Sequence, residues 1–147
     1  MGFILDTNIY VGADRDRQKV EQLKQFYDDH LSSTFLHAAV AQELLAGARD
    51  SRRARVVHRD FILPFERKRR IVVPTFGTWK RSGEIISRLV ERRLLSPGAY
   101  TRSFLTDVLL AASCREFGHK LITENLADFE RIRKVEQFEF LPPFPTS

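Results

Sequence analysis

Asp6 closes the apolar run Phe3-Ile4-Leu5, with no turn residue between them. A short run of this kind reads as a strand buried on both faces, the habit of a central parallel strand. The carboxylate then stands where that strand delivers the chain, and in open α/β sheets ligands bind outside the carboxyl ends of strands. Asp6 and Thr7 also suit the cap of a following turn, so this stretch alone leaves both roles open. Asp128 follows a second apolar run, Leu121-Ile122. In a parallel sheet the two carboxylates reach one edge, which is the beginning of a site. Other chemistry is poorly represented. His30, His37, His58 and His119 are scattered, and with Cys114 they make no zinc-ligand spacing. Cys114 lies in an apolar stretch where a small core residue is expected rather than a nucleophile.

The elements that must carry these acids follow from periodicity. Phe3–Leu5, Ser33–Leu36, Ile71–Val73 and Lys120–Thr123 read as short strands, with an edge strand at Gln137–Leu141. Helices are expected from Asp16 to His30, Ala38 to Ala48, Thr75 or Thr78 to Leu95, and Phe104 to Phe117, with Gly118 as a stop. A short helical piece spans Asp128–Arg133. Gly83 is read as permitting close packing of its helix. Glu43 sits beside the apolar stripe Val40, Leu44 and Ala48, and Asp107 lies in the first turns of its helix, where an acid also suits the dipole. Between Arg49 and Arg70 a broken helical stripe runs until Pro64 ends or kinks it. The alternation of strands and helices predicts an α/β sandwich around a mostly parallel sheet.

With 147 residues the chain is expected to be one domain, 1–147, with a substantial core. Hydrophobic residues make up 43% and charged residues 29%, ordinary for a globular protein. No apolar run approaches the ~20 residues of a membrane span, no leader pattern opens the chain, and a lone cysteine fits a reducing cytoplasm. The formal net charge of +5 favours an anionic partner such as nucleic acid. Much of it falls between Arg49 and Arg70, where Arg49, Arg52 and Arg53 open a surface for phosphates or an acidic protein. The proline-rich tail Pro142–Ser147 carries no readable chemistry.

Four stretches, in order, resemble one family. Ile4-Leu5-Asp6-Thr7-Asn8 looks like the opening of PIN-domain nucleases. Ala41-Gln42-Glu43-Leu44-Leu45-Ala46-Gly47 resembles their helix-borne glutamate with its following glycine, and Thr106-Asp107-Val108-Leu109-Leu110-Ala111-Ala112 their third acid. Leu121-Ile122-Thr123-Glu124-Asn125-Leu126-Ala127-Asp128-Phe129 is similar to the last strand, the Thr-x-Asn element and the Asp-Phe pair. Size and single-domain character point to the VapC-type toxins of toxin–antitoxin pairs. Arg49–Arg70 and Leu94–Ser103 depart from the family pattern.

That resemblance implies a three-layer α/β/α fold and a metal-dependent endoribonuclease. It implies Asp6, Glu43, Asp107 and Asp128 as the catalytic set, with Asp6, Asp107 and Asp128 on the metal. Glu43 would orient a water or act as a base, while Thr7, Asn8 and Asn125 would fix the carboxylates. The chemistry agrees: converging carboxylates raise one another's pKa, a hard cation relieves them, and all-oxygen ligands favour Mg²⁺ or Mn²⁺. The implied partners are RNA, a cognate antitoxin and a second copy in a homodimer. A different reading is a basic α/β binding module whose acids do no hydrolysis.

Overall fold

The computed structural model describes residues 1–144, so residues 145–147 of the proline-rich tail lie outside the described residues. The strands are β1 (Phe3–Leu5), β2 (Thr34–His37), β3 (Ile71–Val72), β4 (Lys120–Ile122) and β5 (Glu139–Leu141). They form one sheet in the order β3-β2-β1-β4-β5, and every pairing is parallel. Phe3 of β1 lies opposite Thr34 on one side and Lys120 on the other, so β1 and β4 end level, Leu5 beside Ile122. This register sets Asp6 and Thr123 side by side at the carboxyl edge. Ile4, Leu5, Leu36, Leu121 and Ile122 are fully buried, as central parallel strands covered on both faces require.

The helices are α1 (Thr7–Arg15), α2 (Arg17–His30), α3 (Ala38–Ala46), α4 (Ser51–Val57), α5 (Leu63–Arg67), α6 (Phe76–Glu91), α7 (Arg102–Phe117) and α8 (Leu126–Arg133). α1 packs on α2 and α3, and α7 packs on α6 and α8, giving helical layers about the sheet. The expected sandwich is therefore present, and its sheet is wholly parallel. No described helix is long and apolar enough to cross a membrane.

Several boundaries follow from side-chain caps. The Asp16 carboxylate accepts the Gln18 and Lys19 amides to open α2. Thr75 and Thr78 together make a capping box for α6, so both residues weighed as its start take part. Arg93 adopts a left-handed φ of 59° and α6 ends at Glu91, short of the expected Leu95. Gly118 closes α7 at φ 72°, where a side chain would be strained.

Two expectations are corrected. α1 begins directly after Asp6, ahead of the first expected helix at Asp16; Gly12 weakens its propensity, and packing on α2 and α3 overrides that. Gly83 permits no close packing, because a Cβ there would meet nothing within 4 Å. The basic stretch is helical without a break from Ser51 to Arg67, and its α-helical pattern is interrupted just ahead of Pro64, as expected. It is α4, a π-helical turn at His58–Ile62 and α5, with Pro64 in the first turn of α5, where a missing N–H is harmless.

α7 is the helix that matters most to the site. Every residue from Asp107 to Cys114 is buried, because the sheet lies on one side and α6 and α8 on others. A helix buried all round is apolar all round. Asp107 breaks that rule.

Candidate active site

Asp6 does both things its position allows. It is the cap of α1, with Oδ1 accepting the Thr7 amide at 2.7 Å. Its Oδ2 accepts the Thr123 hydroxyl at 2.8 Å and the Asn8 side-chain amide at 3.3 Å. The Asn8 amide also reaches the Thr123 oxygen at 3.3 Å, and Asn8 Oδ1 accepts the Glu124 amide at 3.2 Å. A carboxylate with this many donors has one orientation. Burial nonetheless holds its pKa above the ordinary value, against the Thr123, Thr7 and Asn8 bonds, with the charge of Glu43 adding to the rise.

Glu43 reaches the same edge from α3. Its Oε1 accepts the Thr7 hydroxyl at 2.8 Å, so Thr7 joins Asp6 to Glu43 through its amide and its hydroxyl. α3 is itself capped by His37, whose Nδ1 accepts the Ala39 amide at 3.0 Å.

Asp107 and Asp128 are joined by one amide. Asn125 Nδ2 donates to Asp107 Oδ2 at 3.1 Å and to Asp128 Oδ2 at 3.0 Å. Asp107 is only 5% exposed. Its pKa is pushed up to about 8, first by burial and then by the charges of Asp6, Asp128 and Glu43, with Arg131 opposing. Those neighbours show that the four acids predicted from sequence share one region of the fold. The three predicted supporting residues, Thr7, Asn8 and Asn125, each bond to one or two of them.

The predicted arginines divide. Arg53 pairs with Asp14 of α1 and lines a cleft of about 110 Å³ with Glu43, Tyr10 and Phe61. Arg49 and Arg52 are exposed and do not line it. Two residues of the site escaped the sequence reading. Thr123, fully buried on Asp6, lay inside the quoted Thr-x-Asn element without a role. Arg131 holds Asp128 Oδ1 at 3.0 Å, and its signal was the three-residue spacing that puts both on one face of α8.

Among the described residues no three His, Cys, Asp or Glu side chains stand close enough together to hold one ion. That arrangement still fits a small hard cation. Mg²⁺ is commonly held by one or two carboxylates and completes its shell with water and substrate phosphate. Two buried carboxylates, Asp6 and Asp107, both with raised pKa values, offer such oxygens.

An all-parallel five-stranded sheet with these acids at its carboxyl edge defines the class: a model of the PIN domain matches residues 3–135, and the chain belongs to the PIN-domain family. Among solved structures it is similar to the DNA-bound VapBC of Salmonella typhimurium, with a TM-score of 0.74 and 22% identity over 98% of this chain and 99% of that one. VapBC2 of Rickettsia felis, bound to a fragment of promoter DNA, gives 0.71 and 19% over 97% and 98%. FitAcB of Neisseria gonorrhoeae gives 0.69 and 20% over 96% and 97%. At these identities the likeness is one of fold. No curated protein sequence matches the chain.

Proposed function

We propose that this chain is a metal-dependent endoribonuclease and the toxin of a VapBC-type pair. The observation that carries the reading is the pair Asp6 and Asp107. Both are buried, both are raised in pKa, and Asp107 is surrounded by three further acids against one arginine. A chain gains no stability from such a cluster, so a ligand that neutralises it is the physical reason for its existence.

In this reading Asp6 and Asp107 would hold Mg²⁺ or Mn²⁺ most directly, with Asp128 holding it directly or through water. When bound, the cation supplies charge neutralisation to the phosphodiester and to the negative charge that develops on it. The remaining work belongs to the protein. Thr7 fixes Glu43 through Oε1, which leaves Oε2 to orient the attacking water or accept its proton. Thr123 and Asn8 hold Asp6 in a single rotamer, and Asn125 sets the spacing of Asp107 and Asp128. Arg53, in the cleft with Glu43 though paired with Asp14, and the exposed Arg49 and Arg52 offer cations to RNA phosphates or to an antitoxin. The structures it resembles include a toxin–antitoxin complex from Klebsiella pneumoniae, which supports a cognate antitoxin here. A homodimer acting in the cytoplasm completes the proposal.

The test is cleavage of a mixed RNA pool by antitoxin-free protein in Mg²⁺, in Mn²⁺ and in chelator, beside Asp6→Asn. Cutting that needs the ion and is lost in Asp6→Asn is the expected result. Antitoxin-free protein that cuts nothing and binds neither ion is a binding module instead.

A further inference from the structure

Asp128 differs from the other acids of the cluster in having a cation of its own. Its Oδ1 takes a bond from Arg131 Nη2 at 3.0 Å and its Oδ2 one from Asn125 at 3.0 Å, so both carboxylate oxygens are engaged. No three acids among the described residues gather closely enough for one ion. Each oxygen keeps a free lone pair, so what stands against a cation shared by Asp128 and Asp107 is the positive charge of Arg131, and that opposition is relieved when the Arg131 bond opens. The pair is suited to opening. Both side chains are 36% exposed and sit three residues apart on α8, and ion pairs of that kind are weak and readily exchanged.

Arg131 also has a fixed perch. Its Cζ lies 4.4 Å above the ring of Phe104, which is buried on α7 one turn before Asp107. Stacking holds the guanidinium plane while one nitrogen, Nη2, binds Asp128. The rest of the fork is uncommitted to any partner among the described residues, and a phosphate can take two of its N–H groups at once. Its partner Asp128 shares the Asn125 amide with Asp107, so the guanidinium stands among the acids rather than outside them.

The geometry points to a partner exchange. Arg131 holds Asp128 in the RNA-free protein and passes to a phosphate of the RNA when substrate enters, releasing Asp128 toward the cation. This rests on the nuclease reading above. It makes Arg131 more than a helix ion pair, since a pair that only restrained Asp128 would alter metal affinity without lowering turnover at saturating metal.

The experiment measures two things on Arg131→Ala and Arg131→Lys. One is Mn²⁺ binding to the RNA-free protein by electron paramagnetic resonance. The other is kcat and KM for RNA cleavage at saturating Mn²⁺. Arg131→Ala is expected to bind Mn²⁺ several-fold more tightly, because Asp128 keeps only its Asn125 bond and a positive charge is gone, yet to cleave with kcat lowered about 10²-fold. Arg131→Lys keeps a charge for Asp128 but has no fork, so its Mn²⁺ affinity stays near the parent's while its kcat falls. It carries the test should Arg131→Ala not fold. Mn²⁺ affinity that is unchanged or weaker in Arg131→Ala overturns the proposal, and so does parental kcat in either variant. Parent protein that binds Mn²⁺ but cuts no RNA is a failure of the nuclease reading. The exchange onto phosphate then falls with it, while the Mn²⁺ measurement still decides whether Arg131 restrains Asp128.

Discussion

Asp107 and Glu136 are buried to nearly the same degree, 5% and 3% exposed, and their carboxyl groups behave in opposite ways. Burial raises both. At Asp107 three more acids add to it, one arginine opposes them, and the pKa climbs to about 8. At Glu136 the Arg81 guanidinium grips both oxygens, Nε at 2.6 Å and Nη2 at 2.8 Å. Arg115 and Arg88 stand behind it, and the carboxyl is held below its ordinary value in spite of burial. One region carries its counter-charge within the chain and joins α6 to the segment after α8. The other withholds it at the carboxyl edge of the sheet. Burial alone tells nothing about what a carboxylate is for; the origin of the neutralising charge does.

The largest consequence is in activity. Asp107→Asn is expected to cut RNA on the order of 10³-fold more slowly, as losing a group at the reacting centre does. Glu136→Gln should cut at the parental rate per folded molecule. Equal losses in the two variants, measured as single-turnover rates on folded protein, would erase the distinction between the regions.

Much of this contrast was legible from residues and some was not, for reasons of distance along the chain. Asp6 and Asp128 were placed on one edge because short apolar runs mark parallel strands, and that inference needs no tertiary contact. Glu43 and Asp107 were recoverable through flanking motifs that the family shares. The Arg81–Glu136 pair was not readable, since its partners lie 55 residues apart and nothing local distinguishes either from a surface charge. Helix α1 was lost because its stability is tertiary, supplied by α2 and α3. Thr123 was passed over because a hydroxyl at a strand end looks like a turn residue until its partner is known. His37, one of four scattered histidines, is fully buried, with Nε2 2.8 Å from the Ser113 hydroxyl.

His37 sharpens the comparison, since here a buried ionisable group is kept neutral by burial with no charged partner, and both ring nitrogens find hydrogen-bond partners. Ser113 donates to the Leu109 carbonyl and Nδ1 accepts the Ala39 amide, so the proton sits on Nε2. Burial lowers the pKa from 6.5 to about 4. The unfolded chain therefore binds more protons between those values. Stability from this residue is complete above pH 6.5 and falls by about 3 kcal/mol as pH drops to 4. Denaturant melts across that range should show the fall, and His37→Asn, which keeps a cap for α3, should flatten it. A parental slope in His37→Asn would place the loss elsewhere.

Next in size is the stability of Glu136→Gln. A neutral amide keeps the shape and loses the charge that satisfies Arg81. The expected cost is about 2 kcal/mol, the low side for breaking a buried pair, because the Arg81 side chain is 38% exposed and water reaches it. The pH sign is opposite to that of a raised acid. Glu136 lies below its ordinary 4.5, so its contribution is present above that value and is lost as pH falls through the folded pKa.

The smallest effect reverses sign, and it is the most direct comparison of the two regions. In chelator at neutral pH, Asp107→Asn should melt higher than the parent by about 1 kcal/mol, once the unpaired amide N–H groups are set against the relief of burying one acid fewer among Asp6, Glu43 and Asp128. Asn125 can still donate to the retained side-chain oxygen, so the Asn125 link survives the exchange. Adding Mg²⁺ or Mn²⁺ should then invert the order. An ion that binds only the folded state stabilises the parent by mass action, and it has lost a ligand in the variant. Glu136→Gln should melt lower than the parent in both conditions by the same amount, because its counter-charge is part of the chain. Should Asp107→Asn melt lower in chelator as well, then the carboxylate stabilises the fold, and its place among the other acids is architecture rather than a vacancy for charge.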